Sequence, residues 1–401
     1  MQDLIEKART AIERRDWPVA NVALYRLLSR ERDLDGRAGD DPLDLALSIL
    51  QGGDFQQGWE LVKLFPKIGR RAIAPLIALL EAEETDRETR WLIVRILREF
   101  DDPACTLAFG ELARRSGDEE LATMAAEALA SLGRPAIEGL FPLLDDPATR
   151  PLAVAALSRV RRPEAIEPLL GVVNDESARV RAMAIEALSS FHDRRIVAAI
   201  RSALGDPDPE PRWQAAIASG YLALQYPGPD WVLALAPLLA DRDREVYRAT
   251  ALALGRIGTR EAARVLFSGL RSPSTPEDLK PTLVKALGWI ESAGTLDDLA
   301  AGLHEEDESI CREIIAVLSR WEFPETRRRA ARVLEGFYGA RPSISGKTAI
   351  KQALALAFGE LGDSGSRSIL LALAGDREAI VRLHAVSALK KLDRPVSGRT
   401  G

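Results

Sequence analysis

The chain has 401 residues, 46% of them apolar and only 5% aromatic, and 54 Lys and Arg stand against 60 Asp and Glu for a net charge of −6. That length exceeds one small core, and an Ala- and Leu-rich, aromatic-poor composition suits evenly packed helices better than a β-sandwich. The mild acidity excludes the clustered positive field that non-specific nucleic-acid binding needs, and no apolar run approaches the roughly eighteen residues of a membrane span.

Residues 1–17, MQDLIEKARTAIERRDW, carry charge throughout and lack the apolar stretch of an export signal. The two cysteines, Cys105 and Cys311, have neither metal nor redox spacing, so a cytoplasmic, reducing location is expected. A helical hairpin broken near Trp17-Pro18 is predicted first, then a charged loop over 32–41, then a helix pair over 54–82. Residues 1–82 thus read as an irregular helical cap with an opening repeat, because a terminal repeat needs a polar outer face.

From 83 to 395 the chain repeats itself. Taking DESARVRAMAIEALSSF (175–191) as template, a closing residue recurs at Leu97, Leu129, Leu157, Leu188, Ser219, Leu254, Leu287, Leu318, Phe358 and Leu389. A second apolar position follows three residues later, from Phe100 and Leu132 through Trp321 and Leu361 to Leu392. Most intervals are about 31 residues, within the range of helical repeats, and the wider ones contain the Pro/Gly/Ser segments 224–231, 272–278 and 338–347, expected as loops. Each unit is predicted as a short apolar helix (164–173, 231–240, 368–375), an Asp turn and a second helix. Asp175, Asp206, Asp241 and Asp376 stand where an N-cap is wanted. No unit can bury both faces alone, so the units must stack. Residues 396–401 have lost the pattern and form a tail.

The Gly-Lys-Thr at 346–348 raises the question of a phosphate-binding loop. Such a loop needs a glycine where Arg341 stands and a buried strand before it. Residues 331–340 continue a helix instead, so the segment reads as a loop entering a repeat helix.

One helix position just after the Asp turn holds a cation repeatedly: Arg90, Arg150, Arg181, Arg212, Lys280, Lys351 and Arg382. The plain reading is an Asp–Arg ladder between neighbouring repeats; the functional one is that some of these side chains meet a ligand or partner. Aromatics lie beside them in sequence, giving a candidate binding set of Arg90, Trp91, Arg212, Trp213, Tyr247 and Arg248. Such a set suits a conjugated, carboxylate-bearing ligand or a protein hot spot. His192, His304 and His384 are scattered, so no metal is expected, and no catalytic motif is visible.

DESARVRAMAIEAL and DREAIVRLHAVSAL (376–389) resemble the HEAT-like repeats of the E/F-type phycobilin lyases and of the wider bacterial HEAT-repeat proteins. The resemblance implies an all-α, HEAT-like α-solenoid, a right-handed superhelix whose second helices line the concave side. It further implies handling of open-chain tetrapyrroles or of phycobiliprotein subunits. The leading expectation is a non-catalytic scaffold that binds a protein partner through that face, without nucleic acid, membrane insertion or cofactor, in phycobilisome assembly or turnover. The alternative is a phycobilin lyase, with the bilin as bound substrate and the nucleophilic cysteine on the acceptor. A HEAT-like DNA glycosylase is disfavoured by the lack of a basic stripe.

Overall fold

The structure, a computed structural model, describes residues 2–30, 41–115, 117–131, 137, 139–160, 162–228 and 230–393. Of the expected loop at 32–41, residues 32–40 lie outside these, as do the apolar position Leu132 and the tail at 396–401, while Asp41 already opens a helix. Among the described residues there is helix and turn but no strand, as the helical period predicts. By internal contacts the chain divides into two units, Met1–Phe191 and His192–Gly401.

In the first unit, helices Gln2–Glu13 and Trp17–Arg30 form the hairpin, and the break between them puts Arg15 at a φ of 57°. Helices Asp41–Gly52 and Phe55–Leu61 follow. The second helices of the repeats are Arg87–Leu97, Glu119–Ser131, Arg150–Arg159 and Ala178–Ser189, each packed on the next. The first helices Ile73–Glu81 and Pro103–Arg115 form a parallel layer.

The second unit repeats the plan. Its second helices are Pro209–Gln225, Arg244–Ile257, Lys280–Gly288, Glu308–Leu318, Thr348–Leu361 and Ala379–Leu392, again packed in sequence. Arg260–Arg271, Ala293–Glu305 and Pro324–Ala340 make the layer beside them.

The closing positions from Leu97 to Phe358 are all fully buried, Ser219 included; its hydroxyl is satisfied by Ala215 O at 2.7 Å. Leu389, on the last described helix, is only partly covered. Two expectations need correction. Two of the three first helices are shorter than predicted, because Pro163 and Pro237 impose short 3₁₀ segments at 163–165 and 236–240. The 338–347 segment is not a loop throughout. Its helix runs to Ala340, and Pro342–Ser345 adds one more turn.

Candidate functional site

The Asp turns come first, because they decide which cations are free. Asp175, Asp206, Asp241 and Asp376 are not the N-caps expected of them: those are Ser177, Asp208, Asp243 and Glu378, two residues on. Each of the four instead accepts the backbone N–H of that later residue on Oδ1, at 2.8 to 2.9 Å. In three of these turns Oδ2 takes the cation of the preceding repeat: Arg150 with Asp175, Arg212 Nε with Asp241 at 2.7 Å, and Lys351 with Asp376 at 2.6 Å. In the remaining slots, Lys280 pairs with Glu306 at 2.9 Å, and Arg90 Nη2 donates to Ala82 O at 2.7 Å. Arg181 and Arg382 donate to the carbonyls of Asp175 and Asp376 at 2.9 and 2.8 Å.

Arg212 shows how completely such a side chain is used. It holds Asp241 with two nitrogens, and its third donates to Asp206 O at 2.7 Å and Pro207 O at 2.9 Å. Burial alone would raise the Asp241 carboxyl, but the Arg212 hydrogen bond and a backbone amide hold it below its ordinary value. A groove of about 580 Å³ opens beside Arg212, but four of the guanidinium's five N–H donors are already engaged within the fold. The ladder is structural.

Three slots hold something else, the first of them the small buried Ala122. Tyr247 fills one with its ring, and burial raises its phenol above the ordinary value. Cys311 fills another, its thiol pushed up to about 11 by burial. The thiol reaches the carbonyls of Leu303 and Glu306 at 3.5 Å, and the shorter bonds come from outside the repeat: Arg341, in the 338–347 segment, donates to Leu303 O at 2.7 Å and Glu306 O at 2.9 Å.

Within the candidate binding set the residues therefore part company. Arg212 is spent on its turn, and Arg90 gives Nη2 to a turn carbonyl while its Nε is buried without a partner. Tyr247 is 2% exposed and has no surface to offer a partner, and Arg248 pairs with Glu245 one turn back at 2.6 Å. Trp213 is half-buried.

Trp91 alone of the set joins other aromatics. Its ring stacks on Trp59 with centroids 5.8 Å apart and planes 21° apart, and Phe55 lies 5.7 Å away. The Arg95 guanidinium sits 4.6 Å from the Trp59 ring and 5.1 Å from Trp91. Phe55 is 45% exposed and Trp59 41%. Local sequence builds this cluster. Asp54 starts the Phe55–Leu61 helix with a capping box shared with Gln57. Gly58 lets that helix press on the next, since a Cβ there would lie 2.4 Å from Leu92 Cδ1. Trp59 is thereby laid on Trp91. Arg95 has no hydrogen bond or ion pair among the described residues, and its Nε is buried without a partner. Open grooves of about 180 and 310 Å³ flank the stack, the larger reaching Tyr25, over which Lys67 Nζ lies 5.3 Å away. The sequence reading missed Phe55, Trp59 and Arg95. The signal was present in DFQQGWEL, where two aromatics share a helix face with glycine between them.

Gly346-Lys347-Thr348 is no phosphate loop. Helix precedes it, Lys347 is the N-cap of Thr348–Leu361, and its ammonium pairs with Glu308 at 2.8 Å. Among the described residues no group of His, Cys, Asp and Glu is placed to hold a metal, and no helix is long and apolar enough to cross a membrane.

The geometry invites comparison with known proteins. A family model described as HEAT repeats matches at 106–181, 137–220, 172–235 and 232–319, together more than half of the chain. No curated protein sequence matches. Among solved structures, importin beta in a polyethylene glycol condition is 16% identical with a TM-score of 0.52, and the match covers 97% of this chain but 62% of that one. Importin beta in an ammonium sulfate condition gives 16% identity, a TM-score of 0.50, and coverage of 96% and 59%. This chain thus spans roughly three fifths of importin beta, and at such identity the likeness shows the fold alone. Human deoxyhypusine hydroxylase in complex with glycerol is 21% identical over 68% of this chain and 99% of its own, at a TM-score of 0.28 that supports no shared shape. With its stacked helix pairs, its Asp–Arg turns and this family match, the chain belongs to the HEAT-repeat proteins and is an all-α HEAT solenoid.

Proposed function

We propose that this repeat scaffold is non-catalytic and holds another protein on its second helices, with Phe55, Trp59, Trp91 and Arg95 as a main contact. The observation that carries this is Arg95, an unpaired cation held between two indoles on open surface. Arg87, Arg150 and Arg159 on this and the following second helices have counter-charges, and protein hot spots are enriched in Trp and Arg packed in this way. Both cysteines are free and buried, which suits a cytoplasmic location.

A photo-crosslinking residue at position 55 tests the proposal. A partner captured by it should be lost in Arg95→Gln and in Trp59→Ala, measured per folded molecule, with the thermal midpoint of Arg95→Gln unchanged. If both variants keep the crosslinked partner, the cluster is packing only.

The same stack favours one second reading, that of a phycobilin lyase. Two parallel indoles and a guanidinium suit a flat, conjugated ligand with carboxylates, and the resemblance of the repeats implies such a ligand. A role in phycobilisome assembly or turnover rests on that resemblance. Co-expression with a bilin-producing pathway decides between the readings: pigmented protein, bleached by Trp91→Ala, supports the lyase, and colourless protein removes it.

A further inference from the structure

The far ends of the second helices in the second unit carry a pattern of their own. Two residues past the closing positions Ser219, Leu254, Leu287 and Leu318 stand Tyr221, Arg256, Trp289 and Arg320, alternately aromatic and cationic. One residue past them stand Gly220, Gly255, Gly288 and Ser319. The glycines bring the helices close at this end. A Cβ on Gly220 would lie 3.1 Å from Ala253 Cα, one on Gly255 2.8 Å from Ala286 O, and one on Gly288 2.5 Å from Val317 Cγ1. The next side chain along each helix is thereby aligned with its neighbours. Arg256 Cζ lies 4.0 Å from the centroid of the Tyr221 ring. Tyr221 is 51% exposed and Trp289 53%, and Arg320 is exposed as well.

Neither Arg256 nor Arg320 has a hydrogen bond or acidic partner among the described residues. The following rung is an acid, Glu360, already held by Lys391 at 2.5 Å, and the pattern stops there. A cation near a helix C-terminus is favoured by the macrodipole. That accounts for the two arginines but not for the two half-exposed rings that alternate with them.

We propose that Tyr221, Arg256, Trp289 and Arg320 form a linear docking stripe for an extended acidic peptide. Packed helices lie about 8–10 Å apart, so guanidiniums on every second helix stand roughly 16–20 Å apart. An extended peptide covers about 3.3 Å per residue, which puts the matching carboxylates five or six residues apart. Trp289 between the cations offers flat apolar surface to the intervening residues, and Tyr221 extends that surface beyond Arg256. A nucleic acid would present a phosphate at every nucleotide, whereas the stripe has two free cations in a chain of net charge −6. This inference takes from the proposed function only that the partner is a polypeptide, and it does not involve the cluster around Trp91.

The test is fluorescence anisotropy with labelled peptides carrying two glutamates at stepped spacings and a phenylalanine between them. Binding should be strongest near the spacing of about six positions, weaken with salt, and fall about tenfold when both glutamates become glutamine. The Arg256→Gln, Arg320→Gln double variant should bind at least about fivefold more weakly with an unchanged thermal midpoint, while Lys347→Ala, at an exposed ion pair away from the stripe, binds as the parent does. Glutamine peptides binding equally well, a double variant that binds like the parent, or oligouridylate binding tighter than every peptide would each overturn the stripe. Loss of the stripe with the position-55 crosslink intact leaves the proposed function standing; the reverse result removes that function and keeps the stripe.

Discussion

The two ends of the second helices in the second unit use the same residue types to different effect. At the Asp-turn end Arg212, Lys280 and Lys351 are partly buried and each meets a carboxylate of the next repeat. At the far end Arg256 and Arg320 meet none among the described residues, and rings alternate with them. An arginine beside an aromatic is therefore not a binding signal in itself. Where its counter-charge lies decides whether it holds the fold together or remains free for a partner.

The sharpest way to break the contrast is Arg212→Ala. It strands a carboxylate and two turn carbonyls in a poorly solvated site, so a loss of about 3–5 kcal/mol is expected in urea denaturation. A loss below ~1 kcal/mol would mean that water replaces the guanidinium freely, and the ladder would not be structural. At the other end the backbone matters more than the charge. Gly255→Ala forces a methyl against the Ala286 backbone and should cost about 1–3 kcal/mol, whereas Arg256→Gln should stay within ~0.5 kcal/mol.

Acid should act on the Asp-turn end selectively. Lys351 first, then a backbone amide, hold the Asp376 carboxyl below its ordinary value, and Asp241 is lowered as well. A depressed carboxyl binds its proton less readily folded than unfolded, so its contribution is fully present above the ordinary carboxylate pKa of about 4. It is lost as pH falls through the lowered folded value. Denaturant midpoints measured from neutral pH downward should therefore drop below about pH 4, and by less in Arg212→Ala than in the parent. An equal drop in both would separate the acid response from the ladder. The smallest effect belongs to Lys347→Ala, whose pair with Glu308 is exposed: within ~0.5 kcal/mol, with no ATP-induced shift in melting temperature. A saturable ATP shift lost in that variant would restore the phosphate-loop reading.

The repeat itself was legible because the closing residues are core positions, and burying them requires a period the chain cannot disguise. The cation slot was legible for the same reason: it keeps a fixed distance from the closing residue. The binding set was not. It paired residues adjacent in sequence, Arg90 with Trp91 and Arg212 with Trp213, and neighbours on a helix point in different directions. The two arginines that come nearest to rings are Arg95, one turn from Trp91 and across from Trp59, and Arg256, across from Tyr221 on another helix. The first needs the close approach at Gly58, the second that at Gly220. Close approach between helices depends on what each glycine faces, which the sequence of one helix does not show.

Arg341 bears on how this solenoid could be rebuilt. Repeat arrays are commonly treated as interchangeable tiles, to be shuffled, deleted or replaced by a consensus. The tile containing Cys311 cannot be handled in that way, because the side chain that closes its turn is supplied by the segment leading into the following tile. Trimming 338–347 to a standard connection would leave the carbonyls of Leu303 and Glu306 with only the weak thiol donor of Cys311, and restoring arginine at position 311 would place two guanidiniums where one fits. The helices Glu308–Leu318 and Thr348–Leu361 are thus inherited, transplanted or lost together, a two-repeat cassette within an array that otherwise counts by ones.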